Sequence, residues 1–396
     1  MTEDLVRAGR EALRFARSQM PVLDGIQREA ARTRPLAGHR VSGCVHLTKE
    51  TGVLVELLVA AGAEVAWTGG DEVSTQDEVA EALRAAGVQV FGRRGMTTAE
   101  VEQGIDDVLK AYPAGPTIVL DNGSRMIERV VRNRSAFPEL VAATEKTTEG
   151  SRRVRELELD FPVVSVNDIV TKWEVDNTYG TGQSTVDGIL RATGALLAGK
   201  RFVVAGFGHV GRGVAVRAAG LGARVIVTCR SNETAVRARL AGFEVLSPVK
   251  AAAQADFLCT ATGYPDVVTG EQLDVLPSGA VLCNTGHSIT EINLADLAER
   301  TAEVEQVRPH VARHHLRDGR YVDLLAGGGL VNLAAGEGNP SEVMDVTFAN
   351  QALATLALGV GVPGAGVHEV TAEQDEDVAR RKLAAMGIRI DEETAA

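Results

Sequence analysis

Cysteine is scarce in this chain: four residues, Cys44, Cys229, Cys259 and Cys283, among 396. They are widely spaced and form no CxxC pair, so neither a disulfide framework nor a metal site has a basis. Small buried thiols in a reducing cytoplasm are expected instead. Aromatic residues make up only 4%, which disfavours a tryptophan-rich β-sandwich. Positive charge is in deficit, with 41 Lys and Arg against 53 Asp and Glu, a balance of −12. Such a surface repels phosphate backbones, so no nucleic-acid partner is expected. The N-terminal stretch MTEDLVRAGREALRFARSQM is charged throughout and has no signal-peptide core. The apolar stretch from Val53 to Trp67 contains Glu56 and Glu64, so no membrane span is expected there. A cytoplasmic protein follows.

Glycine, by contrast, is plentiful at 42 residues. One unit recurs: an amphipathic helix ends in Ala-Gly or Gly-Ala, and a short β-branched strand follows. It appears as LLVAAGAEVAWTG, LRAAGVQVFG and VRAAGLGARVIVT. Glycine at a helix C-terminus accepts the left-handed conformation that ends it. Repetition of the unit predicts an α/β fold with parallel sheets. Further strands are expected at Thr117–Leu120, Val163–Val166, Phe202–Ala205, Phe257–Thr260 and Ala280–Cys283. The expected organisation is a Rossmann domain inserted in a discontinuous substrate-binding domain. The substrate domain spans 1–186 and returns over 336–375; the dinucleotide domain spans 187–335; a helical tail spans 376–396.

The strongest local motif is RFVVAGFGHVGRG, from Arg201 to Gly213. An apolar strand leads into Gly206-x-Gly208-x-x-Gly211 and then a helix. Gly206 serves the tight turn, Gly208 the approach of a pyrophosphate, and Gly211 close helix–strand packing. The helix N-terminus adds amide donors and a positive dipole end. After the next strand, an acid for the ribose of NAD is missing. Cys229, Arg230 and Ser231 stand there, and Arg230 with Ser231 would suit a 2′-phosphate. NAD and NADP are both open on these residues.

Several segments together resemble the S-adenosylhomocysteine hydrolase family: GCVHLTKET, STQDEVAEAL, VNDIVTKWEVDNTYGTGQST, GFGHVGRG, LCNTGHSITEI and LVNLAAGEGNPSEVM. They run in the family's order over nearly the whole chain, and the YGTGQST run resembles the compact bacterial and archaeal branch. The resemblance implies tightly held NAD and transient oxidation of a nucleoside's 3′-hydroxyl to a ketone. The ketone acidifies the 4′ proton, the 5′ substituent leaves by β-elimination, water adds, and the ketone is reduced again. It implies an adenosine-type nucleoside as partner and a homo-oligomer, tetramer or dimer.

It also implies roles for named residues. Lys172 and Asp176 match the pair that binds and deprotonates the sugar hydroxyls, with Asn167 beside the lysine. His46 matches a histidine near the 5′ position, and His287 a substrate-site histidine. Thr48, Glu50, Met344 and Phe348 match positions around the adenine. Expected cofactor contacts are Thr147, Thr148, Glu149, Asn177, Gly206, Gly208, His209, Val210, Gly211, Cys229, Arg230, Thr260, Thr262, Asn284, Gly286 and Asn332.

The departures from the family cluster at the chemistry. LDDGG becomes LDNGS, placing Asn122 where an aspartate acts. SEETTTG becomes ATEKTTEG, placing Lys146 where a glutamate binds the sugar and Glu149 where a threonine meets the cofactor; a one-residue shift would offer Glu145 instead. GHPS becomes GNPS, placing Asn339 where a histidine stands. Asn122 hydrogen-bonds but exchanges no proton at neutral pH. Three readings follow: a specialised nucleoside dehydratase or lyase, as in nucleoside-antibiotic biosynthesis; ordinary hydrolysis of S-adenosylhomocysteine; and an inactive regulatory relative.

Overall fold

The computed structural model describes residues 2–286 and 290–390. Its strands, in chain order, are β1 (Arg40–Cys44), β2 (Glu64–Thr68), β3 (Gln89–Val90), β4 (Ile118–Asp121), β5 (Ala142–Glu145), β6 (Pro162–Ser165), β7 (Arg201–Ala205), β8 (Arg224–Thr228), β9 (Glu244–Val245), β10 (Phe257–Thr260), β11 (Ala280–Asn284), β12 (Thr301–Arg308), β13 (Val311–Leu316), β14 (Tyr321–Leu325) and β15 (Gly366–Glu369). The chain divides into two units, Met1–Trp173 with Ser341–Ala396, and Glu174–Pro340.

The first unit holds a sheet of order β15-β6-β5-β4-β1-β2-β3. Every pairing in it is parallel. Side chains alternate between two cores, as the two-residue period of a strand requires. Leu120, Ala142 and Val164 join Trp67 and Phe348 on one face. Val119, Ala143 and Val163 join Ile105 on the other. Both faces are buried, so the strands read as continuous apolar runs. The strand order reverses between β1 and β4, and a doubly wound sheet binds ligands in the crevice at the carboxyl ends beside such a reversal.

The second unit has the order β12-β13-β14-β11-β10-β7-β8-β9. From β14 to β9 the pairings are parallel. This is the dinucleotide-binding winding, with its reversal between β7 and β10. Phe202 stacks on Phe257 at 5.6 Å across that reversal. Cys259 and Cys283 lie in register on β10 and β11, both buried and reduced. β12, β13 and β14 pair antiparallel. The sequence reading missed the β12–β13 ribbon, because β12 (TAEVEQVR) is exposed except at Thr301 and the half-buried Val307 and carries no apolar run.

Three boundaries differ from those expected, the first being the return to the first unit, which falls at Ser341 and not at 336. The division falls between Trp173 and Glu174, not at 186/187. The helix Gly182–Thr193 packs in the second unit, where its Gly182 meets Gly213 of the helix His209–Gly220; a Cβ on Gly182 would lie 2.5 Å from that backbone. The C-terminal helix Ala372–Ala385 is no separate tail: Val378 joins the first unit's core. The helix Ser341–Val360 is long and apolar enough to cross a membrane. In the first unit it buries Met344, Phe348, Ala349 and Ala352 in the core.

Candidate active site

In the first unit, the carboxyl ends of the central strands carry most of the expected residues. His46 follows β1. Its Nδ1 lies 2.6 Å from Asp71 Oδ2 and 2.9 Å from Ser74 Oγ. Burial alone would raise the Asp71 carboxyl, but the His46 ring, the Ser74 hydroxyl and the Val73 amide outweigh it and hold the group well below the usual carboxylate range. Asp71 Oδ1 accepts the amides of Val73 at 2.7 Å and Ser74 at 2.6 Å. Asp71 and Ser74 were not foreseen as partners of His46; only the fold brings the loop after β2 beside the end of β1.

Asn122 and Lys146 follow β4 and β5, whose last residues Asp121 and Glu145 are register partners. Both of these acids are fully buried. Asp121 accepts the amides of Asn122 (2.8 Å), Met126 (2.7 Å) and Ile127 (2.8 Å). It thereby caps the helix Arg125–Arg132. Burial first, and the Glu145 charge second, push its carboxyl up to about 7 against these donors. Glu145 accepts from Gly123 N (3.0 Å), Ser124 N (2.8 Å), Lys146 N (3.0 Å), and Thr147 N and Oγ1 (both 2.7 Å). A Cβ at Gly150 would lie 2.3 Å from the same carboxylate. Glu145 is therefore sealed into its own loops, and the one-residue shift does not rescue a sugar-binding acid. Lys146 is the side chain presented, with Nζ 5.0 Å from the Phe348 ring centroid.

Nearby residues are similarly committed. Thr147 caps the helix Thr148–Val154 through Gly150 N at 3.0 Å. Thr148 donates to Asn167 Oδ1 at 3.1 Å, and Asn167 donates to Asp168 at 2.8 Å. Glu149, expected at the cofactor, is paired along its own helix with Arg153 at 2.5 Å. Thr48 heads the helix Lys49–Ala60 without a side-chain capping bond, and Gln76 Oε1 accepts the first amide, that of Lys49, at 2.8 Å. Glu50 accepts from Ser341 at 2.6 Å and pairs with Lys49 at 3.2 Å. Met344 and Phe348 lie one turn apart, 7% and 1% exposed. Lys172 is 7% exposed and begins a π-helical segment, Lys172–Thr181. Such segments are rare and recur at functional sites.

In the second unit, Asp176 is buried and accepts from Asn339 Nδ2 at 2.6 Å. Ser184 donates to Asn339 Oδ1 at 2.9 Å, and Asn332 Nδ2 donates to Ser184 at 3.3 Å. Asn177 is half-buried on the π-helical segment. Gly206 has φ +105°, and a Cβ there would lie 2.6 Å from Ala261 O. A Cβ at Gly211 would lie 2.1 Å from Gly206 O; one at Gly208 would meet nothing within 4 Å. His209 is half-buried, with Nδ1 3.5 Å from Glu174; burial pushes its imidazole below the usual range. Val210 packs on the core. Thr260 donates to Asn284 at 3.0 Å, and Gly286 N donates to the same oxygen at 2.8 Å. Thr262, expected at the cofactor, spends its hydroxyl on Glu291 at 2.9 Å; burial raises that glutamate's carboxyl despite the donors around it. His287 lies outside the described residues.

Comparison with known proteins decides what these two units are. Residues 3–157 match the family model for S-adenosyl-L-homocysteine hydrolase, and residues 177–338 match the model for that enzyme's NAD-binding domain. An adenosylhomocysteinase of Aeropyrum pernix is 45% identical over 98% of this chain and 94% of its own. The chain belongs to the S-adenosyl-L-homocysteine hydrolase family. Two other relatives are named S-inosyl-L-homocysteine hydrolase. That of Methanopyrus kandleri is 45% identical over 98% of this chain and 93% of its own. That of Methanosarcina acetivorans is 42% identical over 100% of this chain and 97% of its own.

NAD is the cofactor of this family, and the second unit fits it in two respects. Open space lies where a Gly208 side chain would stand, at the N-terminus of the helix His209–Gly220. Asn332 Oδ1 is buried with no hydrogen-bond partner among the described residues, an acceptor left for a ligand to satisfy. The NADP alternative loses support at Ser231, whose hydroxyl caps the helix Asn232–Leu240 through Thr234 N at 3.3 Å. Arg230 lies over the Tyr264 ring at 5.4 Å. Burial raises the Cys229 thiol, so a neutral group stands where a ribose-binding acid is usual.

Proposed function

We propose that this chain oxidises the 3′-hydroxyl of an adenosine-type nucleoside, eliminates a substituent at the 5′ side and restores the hydroxyl, as a specialised nucleoside dehydratase or lyase in the cytoplasm. The supporting observation is the sealing of Glu145, which leaves Lys146 where the family's pattern has a sugar-binding acid. With Asn122 and Asn339, this rebuilds the elimination and sugar-recognition end. The oxidation end keeps Lys172 and Asp176.

NAD, when bound, supplies a hydride acceptor for the 3′ carbon and gives the hydride back at the end of the cycle. Gly206, Gly208, Gly211 and Asn332 would hold it, with Asn177 and Asn284. The chain's own side chains do the rest. Lys172 takes the proton of the 3′-hydroxyl. Asp176, steadied by Asn339, binds the neighbouring hydroxyl. The ketone acidifies the 4′ proton; His46, oriented by Asp71 and Ser74 through Nδ1, takes that proton at Nε2 and gives it to the departing 5′ group as the 4′–5′ double bond forms. Thr48, Glu50, Met344 and Phe348 receive the base. Oligomers of this chain, dimer or tetramer, accord with the family.

The second reading, hydrolysis of S-adenosylhomocysteine, is favoured by the retained His46 and by the names of the relatives. One experiment separates the two. Cofactor-loaded protein is mixed with S-adenosylhomocysteine, S-inosylhomocysteine, adenosine and related nucleosides. The near-ultraviolet absorbance of reduced nicotinamide and the product masses are then read together. Reduced cofactor with a product lighter by one water and no thiol supports the dehydratase. Homocysteine release overturns it in favour of the hydrolase, and absence of reduced cofactor with every compound overturns both.

A further inference from the structure

The strongest unassigned cluster in the first unit gathers on Thr171, the residue before Lys172. Asp375 sits in the first turn of the helix Ala372–Ala385, which Thr371 caps through Gln374 N at 3.2 Å. It is 7% exposed. Its Oδ2 accepts the backbone amide of Thr171 at 3.1 Å. Its Oδ1 accepts the Thr171 hydroxyl in a short bond and the side-chain amide of Asn350 at 3.0 Å. Asn350 is fully buried. Its amide is oriented by Gln374 Nε2, which donates to its carbonyl at 3.0 Å and its Oδ1 at 3.2 Å. Asn350 Nδ2 therefore faces both Asp375 and Thr171 Oγ1, the latter at 3.3 Å.

We propose that Asp375 is a positioning residue for Lys172. One carboxylate clamps the backbone and the side chain of Thr171, and the next residue is Lys172, the first of the π-helical segment. Each of these donors to Asp375 is neutral. A buried anion held only by neutral donors is costly, and such cost persists where a fixed geometry is needed. The C-terminal helix is thus an organ of the site, although Asp375 touches no reacting atom. This inference rests on the reading of Lys172 as the base for 3′ oxidation.

The test uses full-length, NAD-loaded protein carrying Asp375→Ala or Asp375→Asn, with Glu373→Gln on the same helix as control. Lysines are acylated with a small amine-reactive ester and followed by peptide mass spectrometry, which reads the seat of Lys172 without turnover. The expected result is several-fold faster labelling of Lys172 in Asp375→Ala, with Lys49 and the control unchanged. Cofactor reduction by an accepted nucleoside should fall by roughly tenfold to a hundredfold, the scale set by small misplacements of a catalytic group, while KM hardly moves. If Asp375→Ala does not fold, Thr171→Val removes only the hydroxyl bond and should show the same changes, smaller. Unchanged Lys172 labelling and unchanged reduction rate in a folded variant overturn the proposal. Intact cofactor reduction in Lys172→Met overturns the catalytic reading instead, and the labelling result decides the positioning by itself.

Discussion

The side-chain amide of Asn339 donates to the carboxylate of Asp176 across 2.6 Å, and Ser184 fixes which way that amide faces. An amide donates to this acceptor without changing its charge near neutrality; an imidazole, as in the family's GHPS, donates when neutral but becomes a cation as it takes a second proton. Asn339→Ala should raise KM for the nucleoside about tenfold or more, since a hydrogen bond to a charged group contributes roughly 1.5–3 kcal/mol. Asn339→His should make KM depend on pH around neutrality. Steady-state kinetics over a pH series check both, and a flat KM in each variant removes Asn339 from substrate binding.

Glu145 and Lys146 are neighbours with opposite assignments. Glu145 accepts five hydrogen bonds from the loops around it. Glu145→Gln keeps an oxygen for the four donors on Oε1 but turns an amide toward Ser124 N, the donor on Oε2, and should lower stability by roughly 1.5–3 kcal/mol, the scale of one hydrogen bond to a charged group. Denaturant unfolding reads this. Lys146→Glu should leave stability nearly unchanged, because a partly exposed cation–aromatic contact contributes only about 0.5–1 kcal/mol. It should instead raise thiol release from S-adenosylhomocysteine. Loss of stability in the lysine variant without any change in thiol release would reverse the assignment.

Asp121 gives the fold a pH dependence of definite sign. Its carboxyl is raised to about 7 in the folded state, against about 3.9 unfolded. Between these values the native state binds more protons, so this group's contribution falls as pH rises from about 4 to 7. Asp71 is lowered instead, and its contribution is lost as pH falls toward the acid range. Asp121→Asn should therefore flatten the decline in unfolding free energy over that upper window, while Asp71→Asn should flatten the acid limb. Equal slopes in wild type and Asp121→Asn would show that Asp121 is ionised throughout.

The three motif glycines should fail differently. Gly208→Val meets open space, so the protein should fold with near-normal melting temperature but carry little dinucleotide. Gly206→Ala combines a left-handed backbone with a 2.6 Å approach to Ala261 O. It should destabilise by about 1–3 kcal/mol, the scale of such strain. Acid release and mass analysis of the bound cofactor, beside a melting curve, separate the cases; the released species should be NAD, not NADP. Full NAD content in Gly208→Val would contradict the role given to that position.

Much of this architecture is written locally, and that part was legible in the chain. The turn at Gly206 to Gly211 needs only adjacent residues, and β7, β8, β10 and β11 are apolar on both faces. The exposed edge strand β12 was not legible, because alternating charge hides a strand that buries almost nothing. The boundary at Trp173 was missed because a π-helical segment breaks the 3.6-residue period used to read helices. His46 was legible, but not Asp71 or Ser74, which only the crossover from β1 to β2 brings beside it. Whether Glu145 or Lys146 faces the ligand depends on which residue ends β5, a matter of register that no motif states.

Both sheets are wound alike, and most of the residues proposed for the chemistry follow the carboxyl ends of their strands. The opposite rims, where Gly38, Gly62, Gly115, Gly199, Gly222 and Gly279 turn the chain, carry none of the residues assigned a role. Those rims are the places to splice a fluorophore-bearing loop or an affinity tag. Selection for a new nucleoside should leave them untouched and collect its changes on the other side.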